Sequence, residues 1–302
     1  MNYSMTDTDQ PLLFGFGRSC LGILILAITT LTGGCGATKE ENYNSPEGYD
    51  LESPIVVKLP LELDEISGVV FYQKDTSVLA INDEFGMLYK IFLNRPKQIH
   101  KWKFSEGADF EDLALLDTIF YVLKSTGDIL TFRFDGDSIS LIERKFPVGE
   151  GNEFEILYFD PQFNKLMLIC KDCESDKKKW LSTYTYDPWT FEFTNDTFRI
   201  DVTRIATMAG EDKMKFKPSA ANIHPITGDL YIISSVNKLL VRADRNGNAI
   251  EVFRIDAGLF KQPEGLTFTP RGTMIISNES ADIGVANLLI FPYKQKAIKA
   301  EQ

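Results

Sequence analysis

Glu264-Gly265-Leu266-Thr267-Phe268 runs into a turn, Thr269-Pro270-Arg271-Gly272-Thr273, and out again as Met274-Ile275-Ile276. A small or acidic residue opens this phrase, an apolar strand follows, and a second, more apolar strand returns after the bend. The same phrase opens at Ser67-Gly68-Val69, Glu111-Asp112-Leu113, Glu155-Ile156-Leu157 and Ser219-Ala220-Ala221, at intervals of 44, 44, 64 and 45 residues. A fixed period of this length marks a repeat architecture. Its short strands suit the blades of a β-propeller and not a helical solenoid.

The second strands are Val78 to Ile81, Ile119 to Val122, Leu166 to Ile169, Leu230 to Ile233 and Met274 to Ile276. Continuous apolar runs of this kind belong to strands buried on both faces. Asp160-Pro161, His224-Pro225 and Thr269-Pro270 start the bends before them, and Asn164, Gly228 and Gly272 end them, which is hairpin chemistry. Third strands follow at Tyr89 to Leu93, Leu130 to Phe134, Leu239 to Ala243 and Leu288 to Phe291, and a less regular fourth completes the earlier units. The fifth unit ends near Tyr293 with three strands, while Ile55 to Leu59 stands unused before the first. The expected fold is therefore all-β, a five-bladed propeller over residues 54–295 with an N-terminal strand closing the last blade. A six-bladed ring is the alternative, because the 64-residue interval holds a strand-like Thr183 to Phe193 and a short helix or inserted loop over 202–214.

Ahead of the repeat, Arg18 precedes an apolar run from Leu21 to Leu31 and a small-residue stretch that ends at Cys35. Eleven residues are too few to span a bilayer core. Residues 1–34 read as an export signal, with translation starting at Met1, at Met5 or later, and Leu31-Thr32-Gly33-Gly34-Cys35 resembles a bacterial lipobox with Cys35 as the acylated residue. An ordinary secretory signal with a free Cys35 is the alternative. Residues 35–53 are polar enough for a solvated tether, and Lys39-Glu40-Glu41 is either a surface-export tag or a charged linker. The expected location is the bacterial outer membrane, on its periplasmic or its surface face, with residues 296–302 as a tail.

The net charge of −11 disfavours a nucleic-acid partner. No Gly-rich phosphate loop, G-x-S-x-G elbow or H-E-x-x-H occurs, which removes dinucleotide and zinc-protease chemistry. Cys170-Lys171-Asp172-Cys173 lacks the further ligands a zinc site needs, so a local disulfide is expected, with a reduced pair as the alternative. Trp102, Trp180 and Trp189 serve either packing or the floor of a carbohydrate or peptide groove.

In a propeller, matching positions of the innermost strands ring the central channel. Here that ring is Ser67, Glu111, Glu155, Ser219 and Glu264, with Asp172, Asp83, Asn82, Asn278 and Glu279 following second strands at the same mouth. Crowded carboxylates must share protons, meet cations or hold a metal. An all-oxygen set favours a hard cation, Ca²⁺ above Mg²⁺ for its tolerance of irregular angles. The competing expectation is that these carboxylates cap backbone N–H groups or pair with Lys and Arg, although no periodic basic partner accompanies them.

Asp109-Phe110-Glu111-Asp112-Leu113, Lys217-Pro218-Ser219-Ala220 and Gln262-Pro263-Glu264-Gly265-Leu266 resemble the SdiA-regulated β-propeller family, over most of Leu61 to Tyr293. The pattern departs at Ile156, where glycine is common, and around Ser219, where Ala221 stands. The resemblance implies a five-bladed propeller distantly related to NHL repeats, with channel calcium on Glu111, Glu155 and Glu264. Three functions are compatible with these features. The first is a lipid-anchored calcium-binding module for a small ligand or a protein. The second is a calcium-dependent hydrolase resembling lactonase and esterase propellers, with Asp172 or Asp83 as its base. The third is a structural envelope protein.

Overall fold

The computed structural model describes residues 43–295, apart from 137, 148–150 and 281–284. The expected export signal, the expected acylation site at Cys35 and the expected tail lie outside the described residues. Five four-stranded antiparallel sheets follow one another as blades. The chain enters on β1 (Ile55–Lys58) and then lays down blade 1 as β2 (Ile66–Tyr72), β3 (Ser77–Asn82), β4 (Met87–Phe92) and β5 (Ile99–Lys103). Blade 2 is β6 (Phe110–Leu116), β7 (Ile119–Lys124), β8 (Ile129–Asp135) and β9 (Ser138–Arg144). Blade 3 is β10 (Asn152–Asp160), β11 (Lys165–Cys173), β12 (Trp180–Tyr186) and β13 (Phe193–Asp201), followed by α1 (Val202–Met208). Blade 4 is β14 (Ala220–Ile223), β15 (Leu230–Ser234), β16 (Leu239–Ala243) and β17 (Ala249–Arg254). Blade 5 is β18 (Pro263–Phe268), β19 (Met274–Asn278) and β20 (Asn287–Phe291), and β1 is its outermost strand.

The first strand of each blade packs on the first strand of the next, and β18 packs on β2, so the ring is closed. Closure rests on Ile55 to Lys58 pairing antiparallel with Ile290 to Asn287. The five-blade count settles the 64-residue interval. β10, β11 and β13 are nine residues each, and α1 with its trailing loop fills the remainder, leaving no sixth blade. Asp201 caps α1 by accepting from Thr203 N and Arg204 N, at 2.8 and 3.1 Å, and Val202, Ile205 and Ala206 bury its inner side. The strand-like stretch from Thr183 to Phe193 divides into the end of β12, a turn and the start of β13.

The second strands are buried along nearly their whole length, as β3 and β15 illustrate. Apolar side chains from adjoining blades form the clusters between them. Phe104, Phe132 and Phe120 stack in parallel between blades 1 and 2, with centroids 4.8 Å apart at each step. Among the described residues no helix is long and apolar enough to cross a membrane.

One expectation needs correction. The tether, read as solvated up to Ser53, is docked well before that point. Tyr49 and Leu51 are buried at 8% and 2% exposure in the cluster shared by blades 4 and 5. The Tyr49 hydroxyl donates to Gly272 O, Lys294 N donates to Gly48 O at 2.8 Å, and Leu51 N donates to Ser45 Oγ at 2.9 Å. Tyr49 also contacts the rings of His224, Tyr231 and Tyr293. Burial pushes the His224 imidazole down to about 4, so it stays neutral in this aromatic setting at neutral pH.

Candidate metal centre at the channel mouth

All five inner strands start at one end of the channel, and there the pairing between first and second strands is interrupted. In blade 1 the register breaks between Ile66 and Val69, leaving Ser67 and Gly68 outside it. In blades 2, 3 and 5 the breaks fall at Glu111, Glu155 and Glu264. A β-bulge leaves its extra residue unpaired and re-aims the side chain. Three of the five ring positions are thus glutamates on equivalent bulges, and Ser67 lies on a fourth.

Their electrostatics place them in one another's field. Burial, then the charges of Glu155 and Asp109, push the Glu111 carboxyl up to about 9, with Glu264 adding to the shift. Burial, then Glu155 and Glu279, push Glu264 up to about 8. Burial raises Glu155 as well, against the opposing pull of Lys171. The group continues around the rim. Asp83 is raised to about 6 by burial and then by Glu65, and Glu279 to about 7 by burial and then by Asp83 and Glu65. Carboxyls held this far above their usual range are short of positive charge when all are ionised.

The mouth is also basic. A cavity of about 400 Å³ there is lined by Glu155 and Glu264 together with Lys171, Lys217 and Lys238. Lys171 pairs with Glu155 and, at 3.0 Å, with Glu153. One blade therefore does carry the basic partner that the repeat pattern lacks. Lys238 has a left-handed backbone, φ 51°, and burial pulls its ammonium below the usual lysine value while its Nζ donates to Lys261 O.

The remaining expected site residues separate into two groups. Asp83 and Glu279 join the mouth; Asp172 does not. Lys215 Nζ at 2.7 Å and Lys217 Nζ at 3.4 Å hold the Asp172 carboxylate at the surface, and the Lys215 bond keeps it below its usual range. The pairing of β10 with β11 shifts register between Glu153 and Phe154, so Asp172 pairs with Glu153 while Lys171 is passed over. Ser219 joins blades: its Oγ donates to Pro263 O at 2.6 Å and accepts from Ser235 N at 3.2 Å. Asn82 caps the next turn through Glu84 N and Phe85 N, and Asn278 Nδ2 bonds Leu259 O and Asn287 Oδ1. Glu65 and Asp109, absent from the sequence-based ring, stand two residues before Ser67 and Glu111, just ahead of each phrase.

Cys170 and Cys173 form a disulfide at the end of β11, with Cα atoms 5.9 Å apart. Asp176 lies close to both sulfurs, but its carboxylate is engaged by Ser182 N at 2.9 Å and by the Ser182 hydroxyl, which removes the trio as a metal site.

No protein-family model matches the chain, and no curated protein matches it in sequence. Solved structures do match in fold. A glutaminyl cyclase from Myxococcus xanthus superimposes with a TM-score of 0.53 at 16% identity, covering 80% of this chain and 97% of its own. A PQQ-bound aldose sugar dehydrogenase from Streptomyces coelicolor gives 0.51 at 11% identity, covering 84% and 100%. At such identities the likeness is one of fold.

Proposed function

We propose that this chain is a lipid-anchored β-propeller that holds a calcium ion at the carboxylate mouth and uses the mouth and its loops to bind a small ligand or a protein. The convergence of Glu111, Glu155 and Glu264 on equivalent bulges, with the first and last pushed up to about 9 and about 8, carries the reading. The donor set fits a hard cation of flexible geometry. Glu111 and Glu264 would hold it, with Glu155 shared between the ion and Lys171. Bound there, calcium supplies the positive charge that lets the acids of three blades ionise together. Likeness to the SdiA-regulated propellers supports the same residues. Acylation at Cys35 would place the domain at the outer membrane.

A calcium titration of the chain from Tyr43 tests this reading by its melting temperature. A ligand that binds only the folded state must raise it. The melting temperature is expected to climb by several degrees at millimolar calcium and to stay flat in Glu111→Gln. No rise, or an equal rise in the variant, removes the site.

One observation favours a second reading, a calcium-dependent hydrolase of esters or lactones. Asp83, raised to about 6, is tuned close to what a general base needs near neutrality. Asp172, bound to two lysines, is not. On this reading lactones or aryl esters are hydrolysed at a rate that chelator and Asp83→Asn both abolish; turnover indifferent to either contradicts it.

A further inference from the structure

We propose that the propeller stands on the membrane with the carboxylate mouth pointing away from the lipid, seated on the opposite face, where the N-terminal segment is clasped. The inference rests on the lipid anchoring proposed above and adds its geometry. Glu264 stands at the start of β18, while the turn that receives Tyr49, Thr269 to Thr273, lies at its end. His224, under the Tyr49 ring, occupies the corresponding turn after β14. The segment from Ser45 to Leu51 is thus fixed to the face one strand length, about 20 Å, from the glutamates. Cys35 precedes Tyr43 by eight residues, a reach of at most about 29 Å. Turning the mouth toward the same bilayer would use most of that reach on the height of the blade alone, before the chain had passed around its rim.

The clasped face also carries side chains suited to a lipid headgroup layer. Trp189, 55% exposed, projects from the turn between β12 and β13 and lies against Phe159 at the end of β10. Ile226, 42% exposed, tops the turn after β14, and Arg271 is exposed in the turn that binds Tyr49. Trp is favoured where one side is apolar and the other wet, and Arg meets anionic headgroups. On the far face, Phe85, Trp180 and Val236, 54%, 40% and 67% exposed, border the mouth, so the reach of the N-terminal segment, and not exposed apolar area, decides the orientation.

The test uses the full chain, lipidated in a bacterial host and reconstituted into phosphatidylethanolamine and phosphatidylglycerol vesicles doped with a nitroxide lipid. A fluorophore is placed at Ile226→Cys or Arg271→Cys on the clasped face, and at Phe85→Cys or Val236→Cys beside the mouth; Cys170 and Cys173 are already paired. Quenching is expected to be several-fold stronger at the clasped face. Equal quenching at both faces, or stronger quenching at the mouth, overturns the orientation. Protein that fails to float with the vesicles, or floats equally well as Cys35→Ala, overturns the anchoring reading itself and the orientation with it.

Discussion

A chain shortened to begin at Leu59 is expected not to assemble the ring, whereas one that begins at Tyr43 should fold as the whole domain does. The shorter chain loses β1, and with it the four paired residues that cover β20. An uncovered strand with Leu288 and Leu289 in it is a template for aggregation. It also loses Tyr49, Leu51 and Val57, all buried. At about 1.5–3 kcal/mol for each buried side chain, the loss approaches the total stability of an ordinary domain. A chain beginning at Pro54 separates the two contributions, since it keeps β1 but gives up Tyr49 and Leu51, roughly 3–6 kcal/mol. Soluble yield and urea midpoints report the outcome. A chain from Leu59 that unfolds at the same urea concentration as the chain from Tyr43 would show that the clasp and the closing strand are ornaments.

Asp112→Ala is the single substitution expected to cost most. Its carboxylate is fully enclosed between blades 2 and 3, accepting from Leu113 N at 2.7 Å and from Leu157 N at 2.8 Å. Burial raises this carboxyl well above its ordinary value, and the two N–H bonds pull the other way. Alanine leaves both backbone donors buried without acceptors, at about 1–3 kcal/mol each. Gly68 makes the fit closer still: a Cβ there would stand 2.5 Å from Asp112 Oδ1 and from Leu113 N, so three blades meet with no room for adjustment. Asp112→Asn, which keeps one accepting oxygen, should recover part of the loss. Urea unfolding of both variants decides the matter, and an alanine variant within about 0.5 kcal/mol of the parent would contradict this account of how the blades are joined.

Much of this architecture was legible in the residues. The doubly buried second strands gave the blade period, and the leftover Ile55 to Leu59 gave the closure, because burial on both faces and an unpaired edge each leave a plain mark on composition. The ring of glutamates followed from equivalent positions. The bulges that aim them did not, since a bulge is a local register break with no composition of its own. Tyr49 and Leu51 do not show in the sequence because two apolar side chains in a polar stretch do not alter its average, although both become buried. Lys171 was missed for a related reason: it occurs in one blade only, so no periodicity announces it. Asp172, expected at the mouth as a ligand, is taken up by Lys215 and Lys217, partners that its position after a second strand does not announce.

The sign of proton exchange follows from the raised carboxyls. In the metal-free protein, Glu111 and Glu264 hold protons that the unfolded chain would release above about 4.5. Their contribution to stability is complete below that pH and is lost as pH rises through about 8 and about 9. A cation at the mouth needs them ionised, so its affinity should climb over the same range. The most direct test is calorimetry of calcium binding at pH 7 in two buffers of different ionisation enthalpy. The account predicts heats that differ between buffers by the equivalent of roughly one to two protons released per calcium bound, and no binding heat in Glu111→Gln. Heats identical in the two buffers, or unchanged in the variant, would show that the three glutamates do not converge on a shared cation.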